Sequence, residues 1–204
     1  MIYHVCNRSI ADFVIFNNPD EFSRMLMAVK YYQNCGRKIS LSAFLKLKAP
    51  EWKTDGAPIR IIAYCLMPTH LHLVVSEEEG GDVSKFTSDV LNSYSRYFNI
   101  KHKRKGPLWE SRSTYVLVKS DEQLLHVTRY VHLNPVTAYI VDKPEDWPYS
   151  SYNEYINNIK DAQRICRYSP ELEINPMVYK RFVEEQIPYQ RELASIYRNS
   201  NLVG

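Results

Sequence analysis

No stretch of this 204-residue chain approaches the roughly 20 apolar residues that a membrane-spanning helix requires. No secretory leader pattern opens it, and Met1–Val5 already alternate as a strand would. The four cysteines, Cys6, Cys35, Cys65 and Cys166, include no Cys-x-x-Cys pair. That absence argues against a structural zinc site and gives no disulfide framework. No internal repeat is evident, so a solenoid or propeller is not expected. A cytoplasmic protein with no membrane partner is the expectation. The hydrophobic share of 45% and charged share of 24% are those of a soluble domain large enough to hold a core.

Net charge is also low, at +3, but it is unevenly distributed. Eight Lys and Arg residues lie between Lys85 and Lys119 against two acids, Asp89 and Glu110, so this stretch carries +6 and the remainder is acidic by three. A basic block with aromatics among it is the electrostatic footprint of nucleic acid. The alternative is a solvated charged face. Sixteen tyrosines are a high count, and tyrosine can stack on bases or act as a nucleophile.

Alternation and punctuation predict the elements. Residues 2–8 read as a strand. Asn18 caps a helix with Pro19 at its first position, running to about Asn34 and ended by Cys35-Gly36. Residues 37–58 read as an insertion in which 40–48 is a short helix or a strand. Strands follow at about 59–66 and 70–76, joined at Met67-Pro68-Thr69. Asp82 or Ser84 caps a long helix to about His102, and Thr114–Val118 is a further strand. Ser120 or Asp121 caps a last helix to about Leu133, which Asn134-Pro135 is expected to stop, because the residue before proline is pushed out of the helical region. Short helices are expected near Ser151, at 177–186 and at 189–198. The order is β-α-β-β-α-β plus one helix. The expected fold is therefore α+β and ferredoxin-like: an antiparallel sheet with two helices on one face, leaving the other face for the added helix and ligands.

His70 and His72 sit two apart on a strand, so both imidazoles face one way while Leu71 and Leu73 face the other. Such a pair can hold a divalent metal, since neutral imidazole is a common ligand. It can equally be two polar side chains on a half-exposed strand. Tyr130 and Asn134 are four apart on the last helix and share a face. Packed on the open face of the sheet, that helix would bring a phenol and an amide oxygen to the two imidazoles. His132 points roughly away from Tyr130 and is expected to make a structural hydrogen bond. His4, His102 and His126 carry no assigned role, and Glu110 lies near the basic block.

The segments Tyr3–Val5, Asn7-Arg8, Ala63–Val75, Ser95–Asn99, Gly106–Trp109, Arg112, Arg129–Val136 and Asp146–Tyr152 occur in an order and spacing that resembles the HUH single-tyrosine transposases, in particular the REP-associated tyrosine (IS200-like) branch. The resemblance covers about residues 1–155 and sets off 156–204 as an extension of unknown role. It implies Tyr130 as nucleophile and His70, His72 and Asn134 as ligands of a divalent metal, Mg²⁺ or Mn²⁺. Two nitrogen ligands favour Mn²⁺. It also implies single-stranded or hairpin DNA as partner, cleaved and rejoined through a 5′-phosphotyrosine. In this reading Lys101, Lys103, Arg104, Lys105 and Arg112 clamp the backbone, and Trp109, with Tyr97, stacks on bases. The chain departs from the family in the length of residues 37–58 and in Ser9, where glycine is usual. The rival readings are a non-catalytic hairpin-binding protein, a phosphodiesterase in which water attacks, and an RNA binder. Monomer and homodimer both remain open.

Overall fold

The computed structural model describes residues 1–34, 37–52 and 56–200. Four strands, β1 (Ile2–Arg8), β2 (Ile59–Met67), β3 (His70–Glu77) and β4 (Thr114–Val118), form one sheet in the order β2-β3-β1-β4. Every neighbouring pair is antiparallel. The chain runs β1, α1 (Pro19–Tyr32), α2 (Leu41–Phe44), β2, β3, α3 (Val83–Lys101), β4 and α4 (Asp121–Thr137). That is the β-α-β-β-α-β succession with an added helix that the sequence predicts, with α2 supplied by the insertion.

Side-chain alternation sorts the sheet into two faces. Val5, Leu71, Leu73 and Val75 pack with α1 and α3 in one cluster, where Phe22, Met25, Phe86, Val90 and Tyr94 are buried. Val74, Ala63, Cys65 and Met67 pack with Leu124, Val131 and Leu133 of α4 in a second. A register shift between Ile61 and Ala63 marks a bulge in β2, which puts the successive residues Ile62 and Ala63 in the same cluster. Pro68 and Thr69 close the β2–β3 turn, and residues 9–16 fasten it: Ser9 N–H donates to the Thr69 carbonyl at 2.8 Å and Ile15 N–H to that of Pro68 at 2.9 Å.

The helix starts follow side-chain caps. Asn18 accepts from Glu21 N–H, Ser40 from Ala43 N–H, Asp82 from Lys85 N–H and Ser120 from Gln123 N–H. The open choice for residues 40–48 resolves to a single helical turn, with Leu41 and Phe44 buried. The expected stop of α1 at Cys35-Gly36 lies outside the described residues.

One boundary differs from expectation. Asn134-Pro135 does not end α4, which continues to Thr137 with Pro135 inside it. Proline removes one N–H, yet the next turn still closes: Ala138 N–H donates to the Asn134 carbonyl and Ile140 N–H to that of Pro135, both at 2.9 Å. Leu133, Pro135 and Val136 are buried, so packing outweighs the local preference. Asn134 therefore stays helical, one turn above Tyr130.

Beyond α4 come α5 (Tyr152–Tyr155), α6 (Pro176–Glu184) and α7 (Ile187–Ser200). Leu172, Tyr179 and Val183 complete the second cluster. Among the described residues no helix is long and apolar enough to cross a membrane.

Candidate active site

The site lies on the α4 face of the sheet. β3 presents His70 and His72 there, and β1 lies beside β3 with Cys6 opposite His72 and Arg8 opposite His70. The same alternation puts His4 on this face. Its Nε2 is 3.1 Å from His72 Nδ1, and the two ring planes lie within 20° of each other with centroids 5.3 Å apart. α4 crosses above. The Tyr130 ring meets His72 edge-on at 5.6 Å and His4 at 5.9 Å. Tyr130 remains 46% exposed.

Each of the three expected metal donors is oriented by a bond through its other polar atom. His70 Nδ1 is 3.1 Å from Thr69 Oγ1, and His72 Nδ1 faces His4. Asn134 Nδ2 donates to the Tyr130 carbonyl at 2.9 Å. Two imidazole Nε2 atoms and one amide Oδ1 are left for a metal. Among the described residues no three His, Cys, Asp or Glu side chains group as a metal site. Two nitrogens and an oxygen suit a divalent first-row ion.

Burial sets the protonation states. It lowers His70 to about 4, with the Arg8 charge acting in the same direction. His72 is held well below its ordinary value by burial first, then by His70, His4 and Arg8. His4 is lowered by burial as well. All three imidazoles are thus neutral near pH 7, the form that ligates metal. Burial, followed by the neighbouring Cys6, raises the Tyr130 phenol, while the Asn134 side chain and Arg8 pull it down in part. The phenol is protonated at neutral pH.

Behind the site α4 is pinned by His132, which is fully buried. Its Nδ1 is 2.7 Å from the Tyr179 hydroxyl and its Nε2 2.7 Å from Ser151 Oγ. Burial lowers it to about 3, so it is neutral. It makes the structural hydrogen bonds the sequence suggests.

The basic block lies apart from this cluster, around the end of α3. Lys101 Nζ pairs at 2.9 Å with the buried Glu21 carboxylate, which also meets His102 Nε2 at 2.7 Å. Arg104 folds back onto its own loop, donating to the Pro107 carbonyl at 2.8 Å. Lys103, Lys105 and Arg112 are exposed. The Trp109 indole N–H donates to Ser95 Oγ at 2.9 Å, and the ring is half-buried beside Tyr94. Tyr97 is half-buried beneath Arg24 and Lys101. A cavity of about 450 Å³ between α3 and β4 is lined by Trp109, Arg112 and Tyr115. The 109–113 loop borders the His70 end of the sheet, because Glu110 N–H donates to the Arg8 carbonyl at 3.0 Å.

His4 and Arg8 are the site residues that sequence reasoning left unassigned. Both share the parity of Cys6 on β1, and both lie in the segments Tyr3–Val5 and Asn7-Arg8 that carry the family resemblance.

Residues 24–134 match the model of a protein family described as transposase IS200-like. A REP-associated tyrosine transposase of Haemophilus influenzae is 27% identical over 106 residues, covering 47% of this chain and 60% of that protein. One of Escherichia coli K12 is 24% identical over 97 residues, covering 47% of this chain and 56% of that protein. The chain thus matches less than two thirds of the length of either relative. Among solved structures, a REP-associated tyrosine transposase bound to a REP hairpin superposes with a TM-score of 0.57 at 15% identity, covering 85% of this chain and 92% of that one.

Proposed function

The chain belongs to the transposase IS200-like family, and we propose that it cleaves and rejoins single-stranded DNA beside hairpins through a 5′-phosphotyrosine formed on Tyr130. In this reading His70, His72 and Asn134 hold a divalent ion, Mg²⁺ or Mn²⁺. The observation that carries it is the meeting of an exposed tyrosine with His72 at 5.6 Å while Asn134 sits one helical turn away. A protein that only binds hairpins needs neither a nucleophile nor ligands of this kind.

The chemistry follows from the groups present. The Tyr130 oxygen attacks phosphorus, a P–O tyrosyl ester forms, and the P–O3′ bond breaks to leave a 3′-hydroxyl. The phenolic proton leaves to solvent or to a base on the substrate side, and the departing 3′ oxygen takes up a proton. A bound divalent ion would supply Lewis-acid polarisation of the phosphoryl oxygens, worth several kcal/mol. The ester conserves the phosphodiester bond, so a second 3′-hydroxyl reverses the step and joins a new strand. Arg8, opposite His70 and paired to Asp12 at 2.8 Å, supplies positive charge on the same face. Lys103, Lys105 and Arg112 are the exposed cations for the DNA backbone beyond the reacting phosphate. Hairpin DNA is proposed as substrate because the solved relative is bound to one.

The test is covalent trapping. Protein, Mn²⁺ and hairpin oligonucleotides with randomised single-stranded flanks are incubated and resolved on a denaturing gel, and the adduct is mapped by mass spectrometry. An adduct on Tyr130 that is lost with chelator supports the reading. Tight hairpin binding with no adduct on any flank would favour the binding-only alternative. Turnover retained by Tyr130→Phe would favour attack by water.

A further inference from the structure

We propose that His4 is a positioning residue for the metal centre: its Nε2 accepts the Nδ1–H of His72 and so holds His72 in the tautomer whose Nε2 binds metal. The inference rests on the metal site proposed above and extends it to β1, which lies outside the matched residues 24–134.

A neutral imidazole carries one proton on two nitrogens. If His72 ligates through Nε2, its Nδ1 must carry the proton, and that N–H needs an acceptor. His72 is only 4% exposed, so water does not serve freely, and an unmet buried donor is costly. The atom that meets it is His4 Nε2, at 3.1 Å. A ligating histidine commonly donates its second N–H to a carboxylate or a carbonyl. Here the acceptor is another imidazole, which adds no charge to the site. His70 is served in the same way by Thr69 Oγ1 at 3.1 Å from Nδ1, so both candidate ligands have Nδ1 engaged and Nε2 left over.

The reverse arrangement would disable the site. If His4 Nε2 carried the proton and donated to His72 Nδ1, the proton of His72 would move to Nε2 and block ligation. A metal at His72 therefore selects the tautomer pair in which His4 is protonated on Nδ1. His4 also touches the nucleophile, its ring lying 5.9 Å from that of Tyr130 at 77°. One side chain thus sets the angle of a ligand and walls one side of the phenol. His4 is held on β1 between Val74 of β3 and Val116 of β4, a central strand position with little freedom to move.

The experiment uses the full chain and metal alone, with no DNA. Calorimetric Mn²⁺ affinity is measured for wild type, His4→Phe and His4→Gln, and the His72 tautomer is read by long-range ¹H–¹⁵N NMR with diamagnetic Mg²⁺ in place of Mn²⁺. Removing such a partner typically costs about 10–100-fold in metal affinity, and His4→Phe, which keeps ring volume, is expected to lose that much. His4→Gln, whose amide oxygen can accept from Nδ1–H, is expected to recover part of the loss. Wild-type His72 is expected as the Nδ1–H tautomer. Equal Mn²⁺ affinity in wild type and His4→Phe overturns the role of His4 while leaving the metal site standing. An Nε2–H tautomer at His72 in wild type saturated with Mg²⁺ overturns it even if the variants fail to fold. No Mn²⁺ binding by wild type removes the metal reading itself, and this inference with it.

Discussion

His132 on α4 and Tyr179 on α6 meet at 2.7 Å, imidazole Nδ1 to hydroxyl, with both side chains buried. The bond belongs to a chain of bonds. The Tyr179 hydroxyl donates to Thr128 Oγ1 at 3.1 Å, and Thr128 donates to the Leu125 carbonyl at 2.9 Å. On the other side Ser151 Oγ lies 2.7 Å from His132 Nε2, accepts from Tyr64 N–H at 2.9 Å and reaches the Tyr64 carbonyl at 3.2 Å. α4 is thereby tied to β2 and to α6 two residues from Tyr130. The rotation of the helix, and hence the direction of the phenol, is set by this node.

Tyr179→Phe should leave His132 Nδ1 without its hydrogen-bond partner in a buried setting and destabilise the protein by about 1–3 kcal/mol. Urea denaturation measures it. The loss from Tyr179→Phe combined with Thr128→Val should be less than the sum of the two single losses, since both act on one chain of bonds. A midpoint unchanged by Tyr179→Phe would show that the node contributes no stability.

Stability should fall in acid through Glu21. Burial pushes this carboxyl up, but donors from Asn17, Lys101 and His102 outweigh burial and hold it at about 2 against 4.5 when free. Because the folded value is the lower one, the unfolded chain takes up the proton first as pH falls. The contribution is whole above about pH 5, and it shrinks as pH drops toward 2. A shift of that size corresponds to roughly 3 kcal/mol. Glu21→Gln should lack this component. Urea midpoints from pH 7 downward, compared between wild type and variant, isolate it from the other carboxylates. Parallel curves would contradict the assignment.

Tyr130→Phe should fold normally, because the ring contacts with His72 and His4 do not need the hydroxyl. It should bind hairpin DNA as wild type does and form no covalent adduct. His70→Ala should bind DNA but fail to form the adduct at any Mn²⁺ level that supports wild type. Adduct formation by Tyr130→Phe at another tyrosine would preserve the reaction class and displace the site.

Lys103→Ala and Lys105→Ala should each weaken single-strand binding and reduce the slope of log affinity against log salt by about 0.7. Both are exposed. Lys101→Ala should behave differently. It should also cost stability near neutral pH, because Lys101 pairs with the buried Glu21 carboxylate. A titration series in salt separates the three. Unchanged slopes for Lys103 and Lys105 would move the DNA path away from the end of α3.

The fold was readable to the extent that it is local. Asn18-Pro19 marks the start of α1, and the alternation of Thr114–Val118 marks β4. The stop at Pro135 was misread. Its local preference was judged without the buried neighbours Leu133 and Val136, which hold the helix together through it. Trp109 shows a similar limit. A tryptophan in a basic loop suggests base stacking, but the hydrogen bond from its indole to Ser95 on α3 cannot be inferred from spacing.

For the site, the sequence by itself determined which residues share a face. Strand alternation aligns His70 with His72, and the helical repeat aligns Tyr130 with Asn134; both are set by backbone geometry over a few residues. Only the tertiary structure decided which faces meet. His4 reaches His72 across 68 positions of chain because β1 pairs with β3 in a single register. Lys101 and His102 reach Glu21 across a helix–helix contact. Register and helix packing are chosen by the summed burial of two cores, a property of the whole chain that no short stretch carries.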